Sequence, residues 1–487
     1  MIPYIPEDIV RIIIENCTTH GKKTLYKLLF VNKLWCEITI PLLWKNPWTN
    51  SNSWENLSRT ILLCCDSNLK KNLFSDCDSN LKIILYEKGI TDTRSNHPKN
   101  LLFNYVAYVK TLSKDIIESL IEGILVEYYE LNSYNLLQRT FWNLFMNNCN
   151  KLSLNLPNYS ICHFNGTKTC LPSLVKLICS TFIHHIYFLE LSEICHNLQE
   201  IVINCFQDNK GLAQLIKSQK RLKRIELNSN NNNISCPLIG EALLTQSNTL
   251  TSINIGHDLC IPSEFFNSLI NCEEFVISIP SESNFNFNSL VINLPNLNTL
   301  RSYIYQHQSL SLALNSLSNI ILSSSFSPRK FSRLKTIDLD LYPKYLTTES
   351  INNYLRIISQ YCPYLEFVVV WVRKDTLLDL ELFLMKCSFL KEIKFVSTES
   401  MEDDSIIDAK IIFDILVNNN ILPDLSKLTF KENWKFTEDN LCEFLENWSK
   451  NKKYPLDLLN IVTSNELVIK VCNRFKKNGV LKSCVFY

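Results

Sequence analysis

Cysteine and histidine are the residues best suited to chemistry in this 487-residue chain, which holds nineteen of the first and eight of the second. Both can serve as nucleophiles or as ligands to soft metals. The densest group is Cys179, His184, His185, Cys195 and His196. Its spacings fit no zinc-ligand pattern, which sets one close donor pair opposite another, and no C-x-x-C pair faces a second one. Without such a pattern the cysteines read as small apolar core residues and the histidines as scattered, so the expectation is no metal and no cofactor. Glycine narrows the chemistry further, with only eight residues, at 21, 89, 123, 166, 211, 240, 256 and 479. No two stand close enough to form a loop that cradles phosphate on backbone amides, and G-x-G-x-x-G, the P-loop and G-x-S-x-G are absent. A nucleotide-dependent or serine-hydrolase activity has no support, and no catalytic residue is assigned.

The elements that could position a site follow from composition. Hydrophobic residues are 46% and charged residues 20% of the chain, enough for a buried core, and the formal net charge is +1. That balance gives no electrostatic case for a nucleic-acid or membrane-surface binder. The short basic run Arg474, Lys476 and Lys477 reads as a solvated helix end. Pro3, Pro6, Glu7 and Asp8 stand where an export signal needs apolar residues, and no apolar run reaches the roughly 18 residues that span a bilayer. Phe367–Val372 is among the longest such runs. An intracellular protein, cytoplasmic and/or nuclear, with reduced thiols is expected.

Three regions follow one another. Residues 1–48 are compact and rich in Trp and apolar side chains. Residues 49–148 read as helical, with a 3.6-residue apolar period over 115–130 that continues through Leu136–Phe145. Cys65-Asp-Ser-Asn-Leu-Lys recurs twelve residues later from Cys77, too close for an independent structural repeat, and reads as a local duplication without a chemical role. From 149 to 487 a degenerate leucine-rich repeat emerges: an apolar or Cys residue, then Leu three positions on, then two alternating apolar positions. It appears in segments starting at 149, 171, 195, 221, 249, 294, 314, 333, 362, 387 and 422. The leading Leu (Leu152, Leu174, Leu198, Leu222 and Leu250 in the first five) anchors a short strand, and Cys149, Cys195, Cys362 and Cys387 close the preceding helix. Asn230–Asn233 is expected as a loop and the stretch around Met401–Asp404 as an insertion. The expected class is α/β: a three-helix N-terminal module, a helical connecting region packing on the first repeats, and an irregular solenoid with a parallel sheet and a C-terminal cap.

The N-terminal module carries the functional reading. Pro6, Glu7 and Asp8 begin a helix well. Ile9, Ile12 and Ile13 fall on one face, and Val10, Ile14 and Cys17 on another. Thr24 can cap a second helix bearing Leu25, Leu28, Leu29 and Val31, and Asn32 a third bearing Trp35, Ile38 and Ile40. A module this small cannot bury two apolar faces by itself, so one is covered either by the following helices or by another protein.

Ile5-Pro6-Glu7-Asp8-Ile9, Ile13-Ile14, Val31-Asn32-Lys33-Leu34-Trp35 and Leu42-Leu43-Trp44 together resemble the F-box from end to end. The family pattern is Leu-Pro-acid-acid-Leu, an apolar pair, Val-Cys-x-x-Trp and a closing Leu-Trp. Ile5, Asn32 and Leu34 depart from it mildly. The ending and the region after it resemble large fungal F-box families with degenerate leucine-rich repeats. The resemblance implies a substrate receptor of a Skp–cullin–F-box ubiquitin ligase. Ile5, Pro6, Ile9, Ile13, Leu28, Val31 and Leu34 would face a Skp-type adaptor, and through it a cullin–RING scaffold. Trp35 and Trp44 would brace the helices or border the interface. The repeats would hold a protein substrate for ubiquitylation and proteasomal degradation, and this chain would supply no nucleophile. The alternative is an F-box/leucine-rich-repeat scaffold outside any ligase. Candidates on the strand face are Glu200, Lys223, Arg224, Thr251, Lys335, Glu366, Glu392 and Lys427; their mixed charge names no ligand.

Overall fold

Side chains that accept a hydrogen bond from the first helical turn decide where most of the N-terminal helices begin. The computed structural model describes the chain except residues 1–4, 19–20, 50–52, 92–100, 127–129, 230–233, 258–259, 280–291, 305–309, 325–332, 399–405, 419–421, 452–454, 464 and 487. It divides into two compact units: Met1–Ile203 with Asn209–Leu222, and Asn204–Asp208 with Lys223–Tyr487.

The first unit opens with α1 (Glu7–Cys17), α2 (Lys22–Leu28) and α3 (Lys33–Trp44). The Asn32 side chain accepts from the Trp35 amide at 3.0 Å and caps α3, as its position predicts. Thr24 does not cap α2. That helix starts two residues earlier, behind Gly21 at φ +89°, a conformation that a Cβ disfavours, and Thr24 lies inside it. Pro6 takes the cap position of α1 rather than its first turn, and its carbonyl accepts the Ile9 and Val10 amides, each at 3.1 Å.

Next come α4 (Trp54–Leu63), α5 (Ser67–Asp76), α6 (Ser79–Glu87), the two-residue β1 (Thr111–Leu112), α7 (Lys114–Glu122) and α8 (Leu131–Asn148). The twelve-residue duplication encodes two equivalent helix starts. Asp66 accepts from the Leu69 amide at 2.7 Å, and Asp78 from the Leu81 amide at 2.8 Å. In each copy the preceding Cys and the following Leu are buried. The duplication therefore has a structural role that its short period hides. The helix predicted over 115–130 ends at Glu122. A Cβ at Gly123 would meet the Trp54 carbonyl oxygen at 2.8 Å, so the close approach to α4 requires glycine there.

Strands β2 (Ser153–Asn155), β3 (Lys176–Ser180) and β4 (Glu200–Cys205) extend the sheet of this unit in the order β1-β2-β3-β4. Leu174 and Leu198 are buried as anchors. Leu152 is also buried but stands one residue past the anchor position. Leu154 pairs with Leu177, three residues after Leu174, so the equivalent place is Lys151, at φ +52°. Cys149, Cys195, Cys362 and Cys387 are buried where predicted. The Cys149 thiol donates to the Val106 carbonyl at 3.2 Å and the Cys195 thiol to the Leu171 carbonyl at 3.4 Å.

The second unit holds β5 (Arg224–Ser229), β6 (Ser252–His257), β7 (Glu274–Ile279), β8 (Thr299–Ile304), β9 (Thr336–Leu341), β10 (Phe367–Val372), β11 (Glu392–Ser397), β12 (Ile407–Asp408), β13 (Lys427–Lys431), β14 (Trp434–Lys435), β15 (Leu456–Ile461) and β16 (Leu481–Phe486). Strands β12 and β14 form a separate parallel pair. The others form one parallel run, β5 to β11 in sequence order, then β13, β15 and β16. The register places Ile225, Ile253, Phe275, Leu300, Ile337, Val368, Ile393, Leu428 and Leu459 side by side in the core, every one of them 0% exposed. Full burial of one such side chain contributes about 2 kcal/mol.

Three readings of the repeat change. Leu317 anchors no strand; residues 310–324 form a helix, because the 3.6-residue spacing of Leu310, Leu314, Leu317 and Ile321 outweighs the repeat pattern. A repeat with no leading Leu was missed at β7: Cys272 fills the anchor position, fully buried, three residues before Phe275. Leu456 and Leu481 anchor two further strands where only a cap is expected. The Arg474, Lys476 and Lys477 run does lie in the last turn of the helix Glu466–Lys477. Asn230–Asn233 and Met401–Asp404 lie outside the described residues. The chain is of mixed α/β class with a long parallel sheet, and among the described residues no helix is long and apolar enough to cross a membrane.

The two aspartate caps are separable experimentally. Asp66→Ala should cost about 1 kcal/mol in urea unfolding, the usual cost of a lost cap. Asp78→Ala should cost more, because Asp78 also accepts from the Ser133 hydroxyl at 2.6 Å. The Ser133 hydroxyl, ahead of the Leu81 amide, holds the Asp78 carboxyl below its ordinary value. Its contribution is therefore complete above the ordinary aspartate pKa and fades as pH falls through the lower folded value. Equal costs for the two variants would contradict this assignment.

Candidate docking surface

The N-terminal module packs itself through one side only. Val10 and Ile14 of α1, Leu25 of α2, and Ile38 and Leu43 of α3 form a closed cluster, with Leu28, Leu34, Trp35 and Trp44 half-buried against it. At its end the Trp44 ring lies 4.6 Å from that of Tyr105, and the Trp48 indole N–H donates to the Thr111 carbonyl at 2.8 Å. The second apolar face of α1 is not covered by the helices that follow. Ile9 is 49% exposed, Ile12 58% and Ile13 36%. Ile5, Pro6 and Val31 are exposed as well.

The residues expected to face a partner therefore fall into two groups. Ile5, Pro6, Ile9, Ile13 and Val31 offer apolar surface to solvent, whereas Leu28, Leu34 and Trp35 are shared with the module's own core. Sequence reasoning left out Phe30, the most exposed of these side chains at 89%, and Tyr26 at 54%. The signal for Phe30 was its place between the end of α2 and the cap Asn32, outside either helical stripe. Charge on α1 is confined to its polar flank, where Arg11 pairs with Glu7 at 2.8 Å.

A different surface marks the second unit. Several outward acids of this sheet meet bases on nearby strands. Glu366 pairs with Lys335 at 3.0 Å and with Lys391 at 2.7 Å; Asp338 pairs with Lys394 at 3.1 Å, and Glu392 with Lys427 at 3.6 Å. Glu274 holds both Arg224 and Arg301. In the first unit Glu200 pairs with Lys176 at 2.7 Å. The candidate charges on this face are thus mostly engaged with one another. Thr251 and Lys335 line a cavity of about 720 Å³ just before β6 to β10, together with Asn271, Glu273, Asn298 and Tyr364. The Asn298 Oδ1 is buried and accepts no hydrogen bond. Lys223 and Arg224 lie beside one another at the start of β5.

The histidine–cysteine group around 179–196 does not assemble as a ligand set, since Cys179 is buried in β3 and Cys195 is turned to the Leu171 carbonyl. Comparison with protein-family models and with curated proteins gives no match to this chain.

The acid ladder gives a direct test of its energetics. The Lys391 ammonium first, then Lys335, holds the Glu366 carboxyl below the ordinary glutamate value. Glu366→Gln should lower stability by about 1 kcal/mol or less at low salt, a loss that shrinks in high salt as the remaining lysine charges are screened. A loss independent of salt would point to packing instead of charge.

Proposed function

We propose that this chain is the substrate-recognition subunit of a Skp–cullin–F-box ubiquitin ligase, with residues 1–48 as its F-box and the parallel-strand repeats, read as a leucine-rich-repeat solenoid, as its substrate arm. The observation that carries the reading is the division of α1 into two apolar faces with different fates. Val10 and Ile14 are buried, while Ile9, Ile12 and Ile13 stand in solvent, as do Ile5, Pro6, Phe30 and Val31. A contiguous apolar patch on so small a module is costly to leave wet and marks a protein interface. Its sequence is the one that resembles the F-box from Ile5 to Trp44.

Docking on a Skp-type adaptor covers this patch in an interface of about 1,600 Å². The exposed isoleucines supply its apolar centre. The adaptor joins the chain to a cullin–RING scaffold in the cytoplasm or nucleus. The repeats then hold a protein substrate so that its lysines meet charged ubiquitin at an effective concentration on the order of millimolar. No residue of this chain needs to react. On the strand face, where charges are already paired, a substrate gains most from apolar and hydrogen-bonding contacts such as those lining the cavity before β6 to β10, and less from net charge.

The two faces of α1 predict opposite phenotypes. Ile9→Asp with Ile13→Asp should abolish co-purification with a Skp-type adaptor and leave the unfolding midpoint nearly unchanged. Ile14→Ala should destabilise the module by about 2–4 kcal/mol, as core truncations do. Trp35→Ala mixes both effects because the ring packs on the core. Adaptor binding that survives the double aspartate variant would remove the docking assignment.

A further inference from the structure

Three cysteines that are far apart in sequence meet inside the second unit. Cys205 ends β4, Cys236 precedes the helix Pro237–Leu244, and Cys260 precedes the helix Ser263–Asn267. Their sulfurs all lie within 4.8 Å of one another. All three are buried, at 0%, 0% and 4% exposure. Among the described residues no other group of three histidine, cysteine or acidic side chains converges in this way. Three other buried cysteines behave differently: the thiols of Cys149, Cys195 and Cys387 each donate to a backbone carbonyl. The three converging thiols are hydrogen-bonded to one another.

The segments that carry them are fixed before any ligand arrives. The Cys236 amide donates to the Cys260 carbonyl at 2.8 Å, joining the second and third segments. The Asp208 carboxylate accepts from the Leu238 amide at 2.8 Å and the Ile239 amide at 3.3 Å, joining the first to the second. A Cβ at Gly240 would stand 2.7 Å from Pro262 Cδ, so the helix behind Cys236 lies directly against the segment after Cys260. Pro237 and Pro262 restrict the backbone beside two of the donors.

We propose that Cys205, Cys236 and Cys260 form a binding site for one monovalent copper ion, held by sulfur alone. Metal–sulfur bonds of about 2.3 Å place three sulfurs about 4 Å apart around a trigonal centre, within the spacing found. Thiolate donors select soft d¹⁰ ions. Zinc in a closed structural site takes four ligands, and only three donors converge among the described residues. A soft monovalent ion suits a site whose converging donors, among the described residues, are sulfur alone. Contact with Cys236 and then Cys260, with burial, pushes the Cys205 thiol far up. Cys205 in turn favours the Cys236 thiolate, but contact with Cys260 and burial push Cys236 up to about 12. Each thiol that becomes a ligand releases one proton to solvent while copper stays Cu(I). Affinity rises with pH for that reason.

The experiment uses the full chain, loaded anaerobically with Cu(I) in the presence of bicinchoninate as competing chelator. The wild type should retain one equivalent, and copper K-edge scattering should give a shell of three sulfurs. Cys205→Ser and Cys236→Ser should each lose that equivalent, while Cys387→Ser, a buried cysteine outside the cluster, should keep it. The proposal is overturned by no retention, by retention in both cluster variants, by a shell holding nitrogen or oxygen, or by retention of Zn(II) in place of Cu(I). If the serine variants do not fold, the wild-type shell and stoichiometry decide alone. None of these outcomes depends on the adaptor docking proposed above.

Discussion

In the second unit β6 to β11, β13 and β15 are each preceded or opened by two backbone amides that share a single carbonyl at the start of the strand before. The Lys223 carbonyl accepts from Thr251 and Ser252, Thr251 from Glu273 and Glu274, Glu273 from Asn298 and Thr299, and Asn298 from Lys335 and Thr336. The same rung recurs through Lys335, Glu366, Lys391 and Ser426. Its carbonyl always belongs to the residue just after the anchor, so one hydrogen-bonded step fixes where every later side chain points. A slip of one residue would send Phe275 or Ile337 to solvent. No single strand–helix unit could bury its apolar side alone; neighbours complete it, as in any repeating stack.

The other features of this unit depend on that register. Acids and bases face one another across strands because equivalent positions are aligned, as with Glu366 between Lys335 and Lys391. Cys205, Cys236 and Cys260 converge for the same reason: Cys205 ends a strand, Cys236 and Cys260 each lie between a strand and the helix after it, and the stacking brings these places together. The N-terminal module works under the opposite constraint. With three short helices, it closes a core around Val10, Ile14, Leu25, Ile38 and Leu43 and has no second layer for Ile9 and Ile13.

What was legible in the sequence divides along physical lines. The alternation before most strands could be read because inward positions are strongly apolar, and Asn32 could be read as a cap because its side chain competes for a backbone amide. Cys272 hid the β7 repeat because a thiol fills the leucine position without matching the pattern. Leu317 misled because one apolar string satisfied both a helix and the repeat, and only the surrounding chain arbitrates. Thr24 looked like a cap, but Gly21 supplied the turn through its backbone alone. The α1 faces were separable by spacing, yet which one stays wet depends on packing that spacing cannot encode. The three-cysteine cluster lay beyond sequence reasoning because its members are one repeat apart and match no local ligand spacing.

The most direct test of the central claim is amide hydrogen exchange of the full chain with and without a Skp-type adaptor. The account predicts slowed exchange confined to α1 and to the turn from Phe30 to the start of α3, with the strands of the second unit unchanged. No protection in α1, or protection elsewhere while α1 exchanges as in the free chain, would contradict it.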